Sequence, residues 1–206
     1  GKERKFYVDL ITKNNLDSLL EYDALFIRET TNVNHHTYRF AQKAEKEGIP
    51  CIDDTLSIQR CCNKIYLHEL LKSKKIRTPK TDIVIKQQKG LKISNGFEFP
   101  VVLKIPDGSF STGVFKVKNE EEFCHQALEI FKHSELLIVQ EFLPSDYDWR
   151  IVLLGGKPLF ACRYYMAKKH WQIYNHSSKK NKEGNFECVA LEKVPPQIIK
   201  TSIKSA

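Results

Sequence analysis

No run in this chain is long and apolar enough to cross a membrane, and nothing near its start has the pattern of a signal peptide. Zinc-type cysteine spacing is absent too. Cys51, Cys61, Cys62, Cys124, Cys162 and Cys188 include no Cys-x-x-Cys pair, and the adjacent Cys61-Cys62 is not a metal-binding pattern. Reduced, mostly buried thiols in a cytoplasmic protein are the expectation. There is no internal repeat and no low-complexity block. The His-Arg-Asp and Asp-Phe-Gly signatures are missing, which argues against a protein kinase. The chain opens on Gly1 rather than methionine and ends in a polar run, Lys200 to Ala206, without an obvious closing element. The expectation is a piece cut from a longer protein.

What is present can build a core. The 206 residues are 41% hydrophobic, enough for one large or two small domains. The net charge of +8 favours polyanions, but the basic residues are spread out. Lys168-Lys169 with His170, and Lys179 to Lys182, form clusters. Nucleotide phosphate is as good a partner for this charge as RNA or DNA.

One stretch organises the rest. Phe97 to Val117 begins with an apolar run, Val101 to Leu103, that ends on Lys104. Pro106, Asp107, Gly108 and Ser109 form a small polar loop that runs on to Gly113, and Val114, Phe115 and Val117 resume an extended pattern. Two strands joined by a glycine- and hydroxyl-rich loop can present backbone N–H groups to an anion, and Lys104 adds a fixed positive charge. The plain alternative is a hairpin carrying a solvated lysine.

Phe6, Val8, Leu10 and Ile11 suggest a short strand, and Leu16, Leu19 and Leu20 a helix capped by Asn15. Ala24 to Ile27 reads as a strand, His35 to Glu47 as a helix and Ile49 to Ile52 as a second strand. This alternation argues for a small α/β layer with parallel pairing. His35 and His36 are adjacent, and adjacent histidines are more often surface residues than metal ligands; no third ligand is evident, so no metal site is assigned. Thr55 to Cys62 is a short helix candidate, followed by a helix that Asn63 can cap. Lys64 in its first turn runs against the helix dipole, a hint of function. Thr78 to Ile85 is extended. Asn119 with Glu122 makes a capping-box pattern before a helix with Phe123, Ala127, Ile130 and Phe131 on one face. Leu136 to Val139 is an apolar strand. Ile151 to Leu154 and Leu159 to Tyr165 flank Gly155-Gly156-Lys157, a hairpin signal. Lys168 to Gly184 reads as basic and mobile, and Val189 to Leu191 as a last strand.

Four features occur in a fixed order: Lys64, Lys104 with its glycine loop, Gln140-Glu141-Phe142-Leu143 at a strand end, and Asp148 with Arg150 before the hairpin. Together they resemble the ATP-grasp ligases, most closely the RimK-like branch related to glutathione synthetase. The resemblance implies an α/β (α+β) ATP-grasp fragment. Residues 1–62 would be an N-terminal α/β region, 63–135 a subdomain with the phosphate loop, and 136–206 a second, incomplete subdomain. It implies an enzyme that uses ATP and Mg2+ to activate a carboxylate as an acyl phosphate, which an amine then attacks. The substrates would be an amino acid or a peptide or protein C-terminus. Lys64 and Lys104 would reach the nucleotide phosphates, with Gly108, Ser109 and Gly113 folding over them. Gln140, Glu141, Phe142 and Leu143 would hold the adenine edge and Asp148 would contact the nucleotide. Arg163 would sit near the transferring phosphate, and Asn175 matches an asparagine of the same subdomain. Trp149, Trp171 and Phe110 could cover a base or substrate, and Asp148 with Arg150 could instead be a surface ion pair.

The chain departs from the family pattern in three places. Ser111 stands where the loop usually has another glycine, and His176, Ser177 and Ser178 replace a glycine pair. Past Gly184 there is no Glu-x-Asn pair of the kind that holds magnesium; Glu187 and Glu192 are the only acids there. This piece alone is therefore expected to be catalytically inactive. The alternative to a ligase is a basic nucleic-acid or ribosome-binding module that uses the Lys168 to Lys182 surface.

Overall fold

The computed structural model describes residues 6–86, 91–93, 96–108, 112–178 and 182–206. The chain forms two units, Gly1–Asn63 and Lys64–Ala206.

In the first unit, β1 (Leu25–Phe26) pairs in parallel with β2 (Cys51–Ile52), and α1 (His36–Lys46) connects them. Parallel strands need such a crossover, so the alternating pattern fixes the arrangement. Phe40 and Ala44 of α1 pack with Leu19 into a small core that Leu16, Leu25 and Ile49 extend. Asp54 caps α2 (Thr55–Cys62), its Oδ1 accepting from the Ser57 N–H at 2.9 Å. Two expectations fail here. Phe6 to Leu10 form no strand and stay exposed, because no described strand pairs with them. Residues 13–21 make two short 3-10 turns rather than a helix. Thr12 is the cap of the first, and Asn15 is its reciprocal partner in the capping box, accepting from the Thr12 N–H at 2.9 Å.

The second unit opens with α3 (Lys64–Ser73). A four-stranded sheet follows, made of β3 (Thr81–Ile85), β4 (Val101–Lys104), β5 (Val114–Val117) and, after α4 (Glu120–Ile130), β6 (Leu136–Glu141). The strand order is β3-β6-β4-β5, all antiparallel. The sheet therefore draws strands from both sides of position 136. Side chains alternate between faces along a strand. One face carries Val101, Leu103, Val117, Leu137 and Val139, and these meet Phe123, Ala127 and Ile130 of α4 in the main core. The opposite face carries Val102, Lys104, Lys116 and Gln140, since Val102 pairs with both Lys116 and Gln140. Asn119 caps α4 by accepting from the Glu122 N–H at 2.9 Å, and the Glu122 carboxylate reaches back to the Lys118 N–H at 2.8 Å.

A second sheet comprises β7 (Tyr147–Leu154), β8 (Lys157–Tyr165) and β9 (Phe186–Val189), followed by α5 (Pro196–Ser205). The final strand lies three residues before its expected start, and the polar tail is a helix rather than an open end. Pro196 begins α5, where a missing N–H costs nothing. The stretch after Lys168 holds ordered pairing, including a bridge between Tyr174 and Glu183. The thiols are less buried than expected: Cys162 is buried, Cys61 and Cys188 are exposed, and the others lie between. None of the described helices is long and apolar enough to cross a membrane.

Candidate functional site

The polar face of the four-stranded sheet collects charged groups from distant parts of the second unit. Lys104 Nζ donates to Gln140 Oε1 at 2.5 Å, and Gln140 Nε2 donates to Thr81 Oγ1 at 2.8 Å. The amide thus holds the ammonium in place from the neighbouring strand. Lys64 enters from the first turn of α3. Its backbone N–H donates to the Pro106 carbonyl at 2.9 Å, and its Nζ donates to the Gly108 carbonyl.

Burial pushes the Lys104 ammonium below its ordinary value of 10.5; the nearby Lys64 charge pushes it further down, and Asp148 partly offsets both. Burial also raises the Asp148 carboxyl, opposed by the Ser145 hydroxyl at 3.5 Å and by Lys104. Two cations that repel one another on a half-buried face attract an anion strongly. Arg150 takes no part in this group: its guanidinium lies 4.6 Å from the Tyr164 ring centre.

The loop after Lys104 folds back tightly, with the Ile105 N–H donating to the Gly113 carbonyl at 3.0 Å. A side chain at Gly108 would meet the Thr112 carbonyl at 2.4 Å. Gly113 has φ +70°, and a Cβ there would press on Ile105 at 2.3 Å. Gly113→Ala is expected to destabilise the second unit by about 1–2 kcal/mol, readable as a lower urea midpoint. Ser109, Phe110 and Ser111 lie outside the described residues.

At the end of β6, the Glu141 N–H donates to the Lys80 carbonyl at 2.9 Å, and Glu141 Oε1 accepts from the Lys80 N–H at 2.6 Å. Glu141 therefore fixes the start of β3 against β6. Phe142 follows, with Lys116 Nζ 3.4 Å from its ring centre and Trp171 edge-on at 5.8 Å. Leu143 is exposed. Lys116 is a polar-face residue the sequence reading missed. Its signal was the alternation of Val114, Lys116 and Phe115, Val117, which acquires meaning only once the β4–β5 register is known.

Arg163 and Asn175 have partners of their own. The Arg163 guanidinium lies 5.0 Å from the Tyr147 ring and 4.9 Å from the Trp149 ring, with Glu187 at 4.0 Å. Its buried Nε has no hydrogen-bond partner among the described residues. Asn175 donates its N–H to the Lys182 carbonyl at 2.8 Å and accepts from the Ser177 N–H at 3.1 Å. It lines a cavity of about 910 Å³ together with Gly113, Lys116, His125 and Trp171.

Magnesium needs several oxygen ligands. Asp148 is a carboxylate whose charge acts on Lys104, whereas Glu187 is occupied by Tyr165 at 2.6 Å and by Arg163. This donor set does not by itself make a magnesium cage.

Comparison with known proteins gives the family and the fold. A family model described as the RimK-like ATP-grasp domain matches residues 61–165, just over half of the chain. The alpha-aminoadipate–LysW ligase LysX of Saccharolobus solfataricus is 31% identical over 154 residues, 72% of this chain and 55% of that protein. A probable alpha-L-glutamate ligase of Psychromonas ingrahamii is 27% identical over 183 residues, 86% of this chain and 58% of that protein. The chain thus spans somewhat more than half the length of these relatives. A D-alanine–D-alanine ligase of Bacillus anthracis superposes with a TM-score of 0.72 at 17% identity, over 93% of this chain and 63% of that one. At that identity the likeness is one of fold.

Proposed function

The chain belongs to the RimK-like ATP-grasp family, and on that premise we propose that it is the nucleotide-binding portion of an ATP-dependent ligase that joins a carboxylate to an amine. The observation that carries this reading is that Lys64 is bonded to the Gly108 carbonyl while its charge and that of Asp148 both act on Lys104.

In the proposed reaction, a substrate carboxylate oxygen attacks the γ-phosphorus of ATP and ADP leaves, giving an acyl phosphate. The amine then attacks the acyl carbon, inorganic phosphate leaves, and the nitrogen loses a proton as the amide forms. Both partners of the first step are anions. Positioning and charge neutralisation therefore carry the catalysis. Lys64 and Lys104 neutralise the phosphates, and backbone groups of Gly108 and Gly113 enclose them. Gln140 to Leu143 and Asp148 hold the nucleoside, with Phe142 offering a ring face. Arg163 serves the transferring phosphate, and Asn175 the adjoining cavity. Any magnesium would have to be held mainly by the nucleotide's own phosphate oxygens. The relatives' names point to an amino acid, or a protein that receives one, as substrates, and the setting is cytoplasmic. The nucleic-acid reading has less support, because the matching family and the named relatives are ligases.

The test is an ATP titration of the chain, with and without magnesium, followed by thermal unfolding. A ligand that binds only the folded state raises the midpoint in proportion to ln[ATP]. A rising midpoint is expected. An unchanged midpoint under both conditions overturns the assignment.

A further inference from the structure

The first unit carries a cluster that the ligase reading does not use. Neighbouring residues within a helix point about 100° apart and do not face each other. His35 and His36 escape this rule because His35 is the cap of α1, with extended backbone at φ −110° and ψ 157°. Its ring turns back, and the two ring centres lie 3.9 Å apart. Glu29, which follows β1, reaches both rings. Its Oε2 is 2.7 Å from His36 Nε2, and its Oε1 is 4.0 Å from His35 Nε2. One ligand atom from each of the three residues falls within 4.8 Å of the others. The sequence offered no third ligand for these histidines; the fold supplies one.

The other nitrogen of His35 is anchored as well. Its Nδ1 lies 3.0 Å from Thr37 Oγ1, and Thr37 is the one buried polar residue of the described chain, 3% exposed. The tautomer that donates Nδ1–H to Thr37 leaves the Nε2 lone pair directed at Glu29. Metal-binding histidines are oriented by just such a bond from the far nitrogen. An exposed glutamate–histidine ion pair would need neither a second ring nor a buried anchor, and would contribute little.

We propose that Glu29, His35 and His36 form a binding site for a borderline divalent metal ion of the zinc and cobalt class. Two imidazoles and a carboxylate suit such ions, and three protein ligands leave a coordination position for water or a substrate oxygen. Tetrahedral bonds of 2.0–2.2 Å place ligand atoms roughly 3.3 Å apart. The Glu29 oxygens lie 2.7 and 4.0 Å from the two Nε2 atoms, and one ligand atom from each residue falls within 4.8 Å of the others, so rotations of the exposed Glu29 side chain and of the two rings close the site. As the ion enters, the proton between His36 Nε2 and Glu29 is released or moves to Nδ1. The positive end of α1 opposes a cation, so this site holds its ion more weakly than a closed four-ligand zinc site.

The test uses the whole chain stripped of metal. Calorimetry with Zn2+ is expected to give one equivalent bound. Co2+ is expected to give visible d–d bands without a thiolate charge-transfer band. Glu29→Gln, His35→Ala and His36→Ala should each abolish this binding, and Thr37→Val should weaken it about 10- to 100-fold. Unfolding midpoints without metal identify any variant that fails to fold. Glu29→Gln, at an exposed position, decides the matter if the histidine variants do. The proposal is overturned if no ion binds, if Glu29→Gln binds as the parent does, or if the cobalt spectrum shows sulfur ligation. It does not depend on the ligase assignment, because ATP plays no part in the readout.

Discussion

Lys104→Met is expected to weaken ATP binding by about 10- to 100-fold, the cost of losing one charge-assisted contact to phosphate. Methionine keeps most of the length of the lysine stem, so packing on the polar face changes little. Two effects on the unliganded fold oppose each other. The variant loses the bond to Gln140 Oε1, but it also removes a half-buried cation that Lys64 repels. Apo stability is therefore expected to stay within about 1 kcal/mol of the parent. Calorimetry for ATP and urea unfolding for the apo chain separate the two quantities. A parallel loss of both would mean that Lys104 serves the fold rather than the nucleotide.

The depressed Lys104 value adds a pH signature. Phosphate needs the charged form, so ATP affinity falls with rising pH earlier than it would for a solvated lysine at 10.5. Without ATP, the sign for stability is the reverse. Between the lowered folded value and the ordinary unfolded one, the unfolded chain binds more protons, so stability rises with pH through that window. Lys104→Met should remove both slopes.

Phe123→Ala is expected to cost about 3–5 kcal/mol, the range for truncating a fully buried aromatic. Phe123 is 0% exposed and plugs α4 onto Val101, Leu103 and Val139. Domains of this size have total stabilities of about 5–15 kcal/mol, so the variant stands near the threshold of unfolding. A urea midpoint close to that of the parent would mean that α4 is not what holds the sheet. Because the same sheet carries Lys104 and Gln140 on its other face, the variant should lose ATP binding together with its fold, whereas Lys104→Met loses binding alone.

Much of this architecture was legible in residue order. Individual elements followed from local signals, the apolar run Val101 to Leu103, the cap at Asn119 and the Gly155-Gly156 break between two strands, whereas the fold class came from the resemblance to the ATP-grasp family. The α5 helix was hidden because Ile198 and Ile199 sit thinly in a polar run, and they become half-buried where α5 packs against β7 and β8. Phe6 to Leu10 failed in the opposite direction: alternation proposes a strand, but a strand also needs a paired neighbour. For the candidate site, the lysines and the loop could be picked out by type and spacing. The amide clamp from Gln140 and Thr81, the position of Lys116 and the approach of Glu29 to the histidines could not. Each depends on strand register or on a cap's backbone angles, which bring together residues with no sequence signal in common.

The place of β6 between β3 and β4 bears on how the chain is made. Thr81 waits for Gln140, 59 residues later, before its strand gains a partner. At synthesis rates of about 5–20 residues per second, that is a delay of roughly 3–12 s. Throughout it, an extended segment rich in isoleucine and valine emerges from the ribosome with an open edge. The period of greatest hazard for aggregation is thus set by translation speed between residues 85 and 141, and codons that slow the ribosome there would lengthen it.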